Sequence, residues 1–325
     1  MTDEDAIDRR RSAGAARPSV NATSTDAFGA TRTSPYRGAS ACLVLEHDSE
    51  LGHWQLVRQA AGPHLRAQVE SYFGYMEGQP CYTRRRHVPS GDVVLIVNFG
   101  SPLLRIDPST AAAPSEGRSM WIGGLRDRHM LSETTGPLHC LEVRFTPIGA
   151  RRFLGLPMSQ LTNGILDLED HLGAVARRLT AQLYDAPSWE GRFAILDRFI
   201  GERLNASRPV PDGVAWAWRA LHESNGCVAI GSLAGELGWS RKRMVAAFAD
   251  QIGLTPKLLA RILRFDRVVR ELDHVDAVSW AAVADASGYF DQAHLIKDFR
   301  AFAGCTPREF LRHRLPELGS ARVGG

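Results

Sequence analysis

Two stretches decide the fold of this chain: Ile230–Pro256, IGSLAGELGWSRKRMVAAFADQIGLTP, and Trp280–Pro307, WAAVADASGYFDQAHLIKDFRAFAGCTP. They are one small unit written twice. Phe248, Gly253, Thr255 and Pro256 recur 51 positions later as Phe299, Gly304, Thr306 and Pro307, whereas Ile230, Leu233, Ala234 and Gly238 recur 50 positions later as Trp280, Val283, Ala284 and Gly288. The change of offset falls inside one turn. Each copy reads as a short apolar helix, a Gly-centred turn, a capped second helix and a closing Gly-x-Thr-Pro, which is the layout of a helix-turn-helix. Gly supplies the left-handed turn, and Ser240 or Asp291 supplies a side-chain oxygen for the first free amides of the following helix.

Helical spacing sorts each second helix into two faces. Met244, Ala247 and Phe248 in the first copy, and Leu295, Phe299 and Phe302 in the second, form buried stripes. The opposite faces carry Lys242, Val245, Ala246 and Ala249, then Ala293, Ile296, Lys297 and Arg300, and are free to enter a groove. Between the copies, Thr255 and Pro256 open a long helix whose apolar face is Leu258, Ile262, Phe265, Val269 and Leu272. Two readers on a rigid spacer fit successive turns of one major groove, about 34 Å apart. Arg261, Arg264, Arg267 and Arg270 lie on the other faces of the spacer, where they either meet phosphates or form a solvated surface.

The run Gly288-Tyr289-Phe290-Asp291-Gln292-Ala293-His294-Leu295, followed by Phe299-Arg300, Gly304-Cys305-Thr306-Pro307 and Phe310, resembles the signature of AraC/XylS-type transcriptional regulators. The resemblance spans about residues 226–314 and implies a sequence-specific DNA-binding regulator that reads adjacent major-groove segments from one face of the duplex. It places Lys242, Val245 and Ala246, with Gln292, Ala293, His294, Ile296 and Lys297, at base-facing positions. The chain departs from the family at Ala246, where a long polar residue is common. The second reader is therefore expected to carry most hydrogen-bonded discrimination, chiefly through Lys297. Arg241 and Arg243 suit phosphates, since half to two-thirds of protein–DNA hydrogen bonds go to the backbone. His294 and Gln292 read equally as capping or packing residues. The resemblance also implies promoter or operator DNA and RNA polymerase as partners, with a small-molecule effector and a homodimer.

Composition sets limits. A 325-residue chain with 44% hydrophobic and 23% charged residues is an ordinary globular sequence of about two domains, and its net charge of +3 neither demands nor forbids nucleic acid. No apolar run approaches the roughly 18 residues of a membrane span, and no apolar signal core follows the charged amino terminus, so a cytoplasmic location without membrane contact is expected. The five cysteines, Cys42, Cys81, Cys140, Cys227 and Cys305, are scattered and odd in number; buried free thiols are expected, not a disulfide framework or zinc knuckle.

Residues 1–38, including Arg9-Arg10-Arg11, read as a disordered tail. From about Ala39 the pattern turns to strands. Val93-Val94-Leu95-Ile96-Val97 is a β-branched run, and Leu138 to Phe145 alternates apolar and polar residues. A β-barrel or sandwich is expected, with a short helix near Leu65 to Met76. From Ile148 to about Arg203 the period becomes helical, anchored by Leu179, Leu183, Phe193, Leu196 and Ile200, for dimerisation or for packing on the strands. Ser71-Tyr72-Phe73, His87-Val88-Pro89-Ser90-Gly91, Val97-Asn98-Phe99-Gly100, the Val143–Ala150 run and Leu154-Gly155-Leu156-Pro157 with Asp167-Leu168 resemble the amino-terminal sensor of one AraC-type subgroup, which implies a cupin-like domain.

The fold class is thus α+β: a cupin-like β-barrel sensor over 39–160, a helical linker over 161–224, an all-α domain with two helix-turn-helix motifs joined by a long helix over 225–316, and a tail over 317–325. Two other functions compete. His87, His129, His139 and Glu142 are the candidate ligands of a cupin-like metal enzyme, but they lack the H-x-H spacing that puts two imidazoles on one strand face. No Ser/His/Asp, P-loop or Rossmann pattern appears. No catalytic residue, metal or cofactor is therefore assigned. The sensor could instead bind a protein; an apolar pocket lined by Phe99, Trp121 or Phe145 would favour a small ligand.

Overall fold

The computed structural model describes residues 31–36, 42–49, 52–78, 82–109, 115–116, 119–272, 279–315 and 320–322. Cys81 and residues 1–30, with Arg9-Arg10-Arg11, lie outside them. The strands are β1 (Thr31–Tyr36), β2 (Cys42–Ser49), β3 (Gly52–Gln59), β4 (Val69–Glu77), β5 (Thr83–His87), β6 (Val93–Asn98), β7 (Leu104–Ile106), β8 (Ser115–Glu116), β9 (Met120–Gly123), β10 (Met130–Thr134), β11 (Leu138–Phe145), β12 (Ile165–Asp167), β13 (Arg314–Leu315) and β14 (Ser320–Arg322). They form two antiparallel sheets. One has the order β1-β2-β3-β4-β11-β6-β9-β12 and the other β13-β14-β5-β10-β7-β8. Together they make the expected cupin-like barrel.

The strand period explains the barrel core. Along β6, Val93, Leu95 and Val97 are fully buried while Val94, Ile96 and Asn98 are half-buried, the alternation a pleated strand imposes. β11 pairs with β4 on one side and β6 on the other, and sinks Leu141, Val143 and Phe145 completely. The expected helix near Leu65 to Met76 is not formed. Only one turn, closed by Val69 N–H donating to the Leu65 carbonyl at 2.8 Å, precedes the strand β4. Helix 189–205 covers one face of β4 through Phe193 on Tyr72 and Trp189 against Gly74, and Phe73 and Tyr75 turn to the barrel interior, so the run mimics an apolar helix stripe while its aromatic rings favour a strand. Strands also occupy Thr31–Tyr36 and Ser320–Arg322, inside the stretches read as tails, because each finds a backbone partner: β1 on β2, and β14 on β5.

The helices are α1 (Pro147–Leu154), α2 (Leu168–Leu172), α3 (Ala174–Asp185), α4 (Trp189–Asn205), α5 (Asp212–Glu223), α6 (Ile230–Glu236), α7 (Arg241–Gln251), α8 (Pro256–Glu271), α9 (Trp280–Ala286), α10 (Gln292–Ala303) and α11 (Pro307–His313). A single 3-10 turn covers Met158–Gln160. The linker anchors Leu179, Leu183, Phe193, Leu196 and Ile200 are all buried. Within the chain, α4 packs on the barrel: the Phe193 ring stacks on Tyr72, the Tyr72 hydroxyl donates to Asp197 Oδ1 at 2.9 Å, and Trp189 Nε1 donates to Gln55 Oε1 at 3.0 Å.

Helix α8 holds the carboxy-terminal domain together. Ile262, Phe265, Val268 and Leu272 are essentially inaccessible, and the Phe265 ring meets Phe299 and Phe302 of α10. Each of its arginines finds a partner within the chain, while Arg270 remains 59% exposed. Arg261 Nη2 donates to Asp298 Oδ1 at 2.7 Å, Arg264 to the Gly226 carbonyl at 2.6 Å, Arg267 to Glu271 at 2.7 Å, and Arg270 lies 3.1 Å from Asp266. The Arg261–Asp298 pair matters most, because Asp298 is only 2% exposed on α10.

Replacing Arg261 by Met strands that carboxylate and should lower stability by about 2 kcal/mol, with the double variant Arg261→Met/Asp298→Leu recovering most of the loss. Thermal denaturation checks this. An unchanged midpoint in the single variant would show that the pair does not hold α10 in place.

Candidate nucleic-acid interface and barrel cavity

Both turns form as the sequence predicts. Gly238 and Gly288 adopt left-handed φ values of 61° and 73°, which let the chain reverse without a Cβ penalty. Ser240 caps α7 by accepting Arg243 N–H at 3.2 Å, and Asp291 caps α10 by accepting His294 N–H at 2.7 Å. Thr255 caps α8 in the same way, through Leu258 N–H at 3.3 Å. The stripes Met244 with Phe248, and Leu295 with Phe299 and Phe302, are buried as expected. Their burial turns the opposite faces outward.

On α7, Arg241, Lys242, Arg243, Val245 and Ala246 are exposed; on α10, Gln292, Ala293, Lys297 and Arg300 are exposed. Neither Lys242 nor Lys297 is covered by the amino-terminal half. Two of the candidates are partly withdrawn. Ile296 packs against the core, and the His294 ring meets Tyr289 edge-on, with centroids 5.2 Å apart. Arg243 lies over the Trp239 ring at 4.6 Å, which fixes its stem against the turn. Sequence reasoning missed Phe290, which is 92% exposed in the turn before α10. Its signal was the one-residue change of offset between the copies.

The second feature is a cavity of about 500 Å³ inside the barrel. Phe73, Tyr75, Ile96, Trp121 and Met130 line its apolar wall, and Leu263, Asp266, Val269 and Arg270 of α8 close its mouth beside His222 of α5. Of the three aromatics expected there, Trp121 alone lines it: Phe145 is fully buried core and Phe99 packs on His139. Several polar groups inside are paired, while Trp121 Nε1 is buried without a hydrogen-bond partner. Arg85 binds Glu77 and donates to the Tyr75 hydroxyl at 3.1 Å, Arg144 Nε donates to Glu142 at 2.6 Å, and His87 Nε2 lies 2.7 Å from Ser132 Oγ. Burial, then the Arg85 charge, pushes His87 down to about 4, so it is neutral. The structure does not gather the candidate metal ligands. His139 faces Arg192 Nη1 at 3.1 Å, His129 stands against Gly304, and among the described residues no three His, Cys, Asp or Glu side chains cluster for a metal. The described cysteines are free: Cys42 is buried, Cys140 and Cys305 are half-buried, and Cys227 is exposed, against expectation.

Three junctions bind the barrel to the carboxy-terminal domain. Thr162 Oγ1 donates to the Gly253 carbonyl beneath the first helix-turn-helix. His129 and β14 meet the end of the second: the His129 ring leaves no room for a Cβ at Gly304, and β14 extends the sheet at β5. The third junction is the cavity mouth, where Gly91 N–H donates to Asp266 Oδ2 at 3.4 Å and Leu263 packs on Gly91.

The family described as a helix-turn-helix domain matches residues 233–313, and a domain of unknown function (DUF6597) matches residues 58–167. No curated protein matches the chain. Among solved structures, ToxT from Vibrio cholerae O395 is 13% identical, with 74% of this chain and 96% of that chain covered and a TM-score of 0.43. Unsaturated fatty acid bound ToxT from Vibrio cholerae strain SCE256 is 11% identical, covering 74% and 94%, with a TM-score of 0.44. The AraC-like transcriptional activator CuxR is 14% identical, covering 72% and 84%, with a TM-score of 0.24. A matched helix-turn-helix domain containing two capped, outward-facing second helices defines a DNA-binding transcription regulator. Residues Gly288 to Pro307, which carry the resemblance to AraC/XylS-type regulators, lie within the matched helix-turn-helix domain. No described helix is long and apolar enough to cross a membrane.

Burial holds the carboxyls of Asp92 and Asp266 above the usual range; the Asp266 charge pushes Asp92 further, while Arg270 counteracts the rise in Asp266. A carboxyl raised by folding binds more protons in the folded state than in the unfolded chain. Its stabilising contribution is therefore present below about pH 4 and lost as pH rises through the folded value. Thermal midpoints should accordingly fall less between pH 5 and pH 8 in Asp92→Asn than in the wild type; identical pH profiles would show that the pair is not strained.

Proposed function

We propose that this regulator reads two adjacent major-groove segments of promoter or operator DNA, with α7 and α10 as its two readers. Lys242, Val245, Ala246, Gln292, Ala293, His294, Ile296 and Lys297 meet base edges, Arg241 and Arg243 meet phosphates, and Arg300 lies on the same face. Phosphate contacts supply salt-dependent affinity and the reader side chains supply sequence choice. The observation that carries this reading is the outward face shared by each capped second helix. Val245 and Ala246 offer only apolar contacts to thymine methyls, so Lys297 supplies most of the hydrogen-bonded discrimination.

The proposal divides the chain into a sensor over 39–160, a linker over 161–224 and the DNA-binding domain over 225–316. It includes a small-molecule effector in the barrel cavity. Support comes from α8, which is at once the spacer between the readers and the wall that closes the cavity. An occupant touching Leu263, Val269 or Arg270 would bias how the two readers are held. The reading further includes RNA polymerase and a second copy of the chain as partners, a cytoplasmic location, and no catalytic step.

Lys297→Ala should relax the base preference at one position by about 1 to 3 kcal/mol, measured as relative affinities for duplexes differing at that base pair. Uniform weakening on every sequence would make Lys297 a phosphate contact. For the sensor, a thermal-shift screen should find small molecules that stabilise the chain by about 2.7 kcal/mol at 100 times their dissociation constant, an effect that filling the cavity with Ile96→Trp abolishes. Hits unaffected by that substitution would place the effector elsewhere.

A further inference from the structure

Phe290 is the most exposed large apolar side chain among the described residues, at 92% against 64% for the next, Tyr184. A single exposed apolar residue is ordinary on a protein surface. This one occupies an unusual place. The first helix-turn-helix turns through Gly238, Trp239 and the cap Ser240, whereas the second turns through Gly288, Tyr289, Phe290 and the cap Asp291. Tyr289 repeats the anchoring role of Trp239 beneath the turn and is 5% exposed. Phe290 is therefore the added residue, and it has no counterpart in the first reader.

The backbone on both sides is fixed. Gly288 N–H donates to the Asp285 carbonyl at 3.1 Å and Tyr289 N–H to the Ala284 carbonyl at 2.9 Å, while Asp291 is committed to capping α10. The ring is thus displayed from a rigid turn at the amino-terminal end of α10. That end of a recognition helix is the part that contacts base edges. Its neighbours on the same end, Gln292 and Ala293, are exposed as well. An aromatic ring there cannot accept hydrogen bonds from amino groups or donate to base acceptors, and it makes no use of phosphate charge. The base-edge group it does suit is the C5-methyl of thymine, the apolar feature unique to that base in the major groove.

We infer that Phe290 is a specificity-determining residue of the second reader, selecting thymine through its methyl group at a base pair bordering the segment read by α10. The inference rests on the proposed two-segment reading of DNA. It gives the second reader an apolar contact beside its hydrogen-bonding lysine, at a position where the first reader has no residue at all.

Selection of binding sites from randomised duplexes, with the full-length wild type and with Phe290→Ala in parallel, tests it. The wild type should enrich thymine at a position bordering the second segment, and Phe290→Ala should lose that preference while keeping the rest of the motif. On the selected duplex, replacing that thymine by deoxyuracil should weaken the wild type about fourfold, the scale of one buried methyl, and leave Phe290→Ala unaffected. Phe290→Leu should retain part of the preference. Because the side chain is exposed, the thermal midpoint of both variants should match the wild type. Identical motifs for wild type and Phe290→Ala would overturn the assignment, as would a variant that binds DNA normally but fails in transcription with RNA polymerase, which would make Phe290 a protein contact. A wild type that enriches a single short segment, still with thymine lost in Phe290→Ala, would overturn the two-segment reading alone.

Discussion

The buried face of α8 is the constraint on which the rest of the structure depends. Ile262, Phe265 and Leu272 lie at helical spacing and are sealed from solvent, so the helix is pinned along its length instead of acting as a tether. Its contacts with α10 orient the second reader. Phe265 packs on Phe299 and Phe302, and Arg261 holds the buried Asp298, so α10 is fixed to the spacer by one apolar and one ionic contact. A helix fastened on two sides keeps its outward face outward, which is what a reader of groove edges requires.

The same helix ties the regulator's two halves. Its adjacent side closes the barrel cavity, and the Gly91–Asp266 hydrogen bond crosses the junction. Burial raises the carboxyls of both Asp92 and Asp266, the Asp266 charge raises Asp92 further, and Arg144 and Arg270 act as counter-charges. Such a contact is held by a small balance of opposing charges in a buried site, and a balance of that kind is easily tipped by an occupant or a proton. The proposed coupling between cavity and readers needs no long relay, since one element, α8, belongs to both.

The carboxy-terminal domain was legible in the sequence because its signals are local. A cap, a left-handed glycine and a three- or four-residue stripe each constrain one turn, and the second copy repeats the first. The barrel was legible where strands alternate, as along Val93 to Val97, and illegible where they do not. β4 is buried on both faces, so its aromatic run carries no period, and only pairing with β3 and β11 decides its state. The partners of the α8 arginines were illegible for a related reason. Asp298, Gly226 and Asp266 lie on elements distant in sequence or within the helix itself, and spacing does not say which side chain a guanidinium will meet. Phe290 was written in the offset between the copies, yet an inserted residue acquires meaning only once its exposure is known.

Hydroxyl-radical footprinting of the full-length protein on its selected duplex tests the central claim most directly. Two readers held on one rigid spacer should protect two major-groove segments on the same face of the DNA, about one helical turn, roughly 10 base pairs, apart. Protection of one segment only, or of segments on opposite faces, would contradict the account.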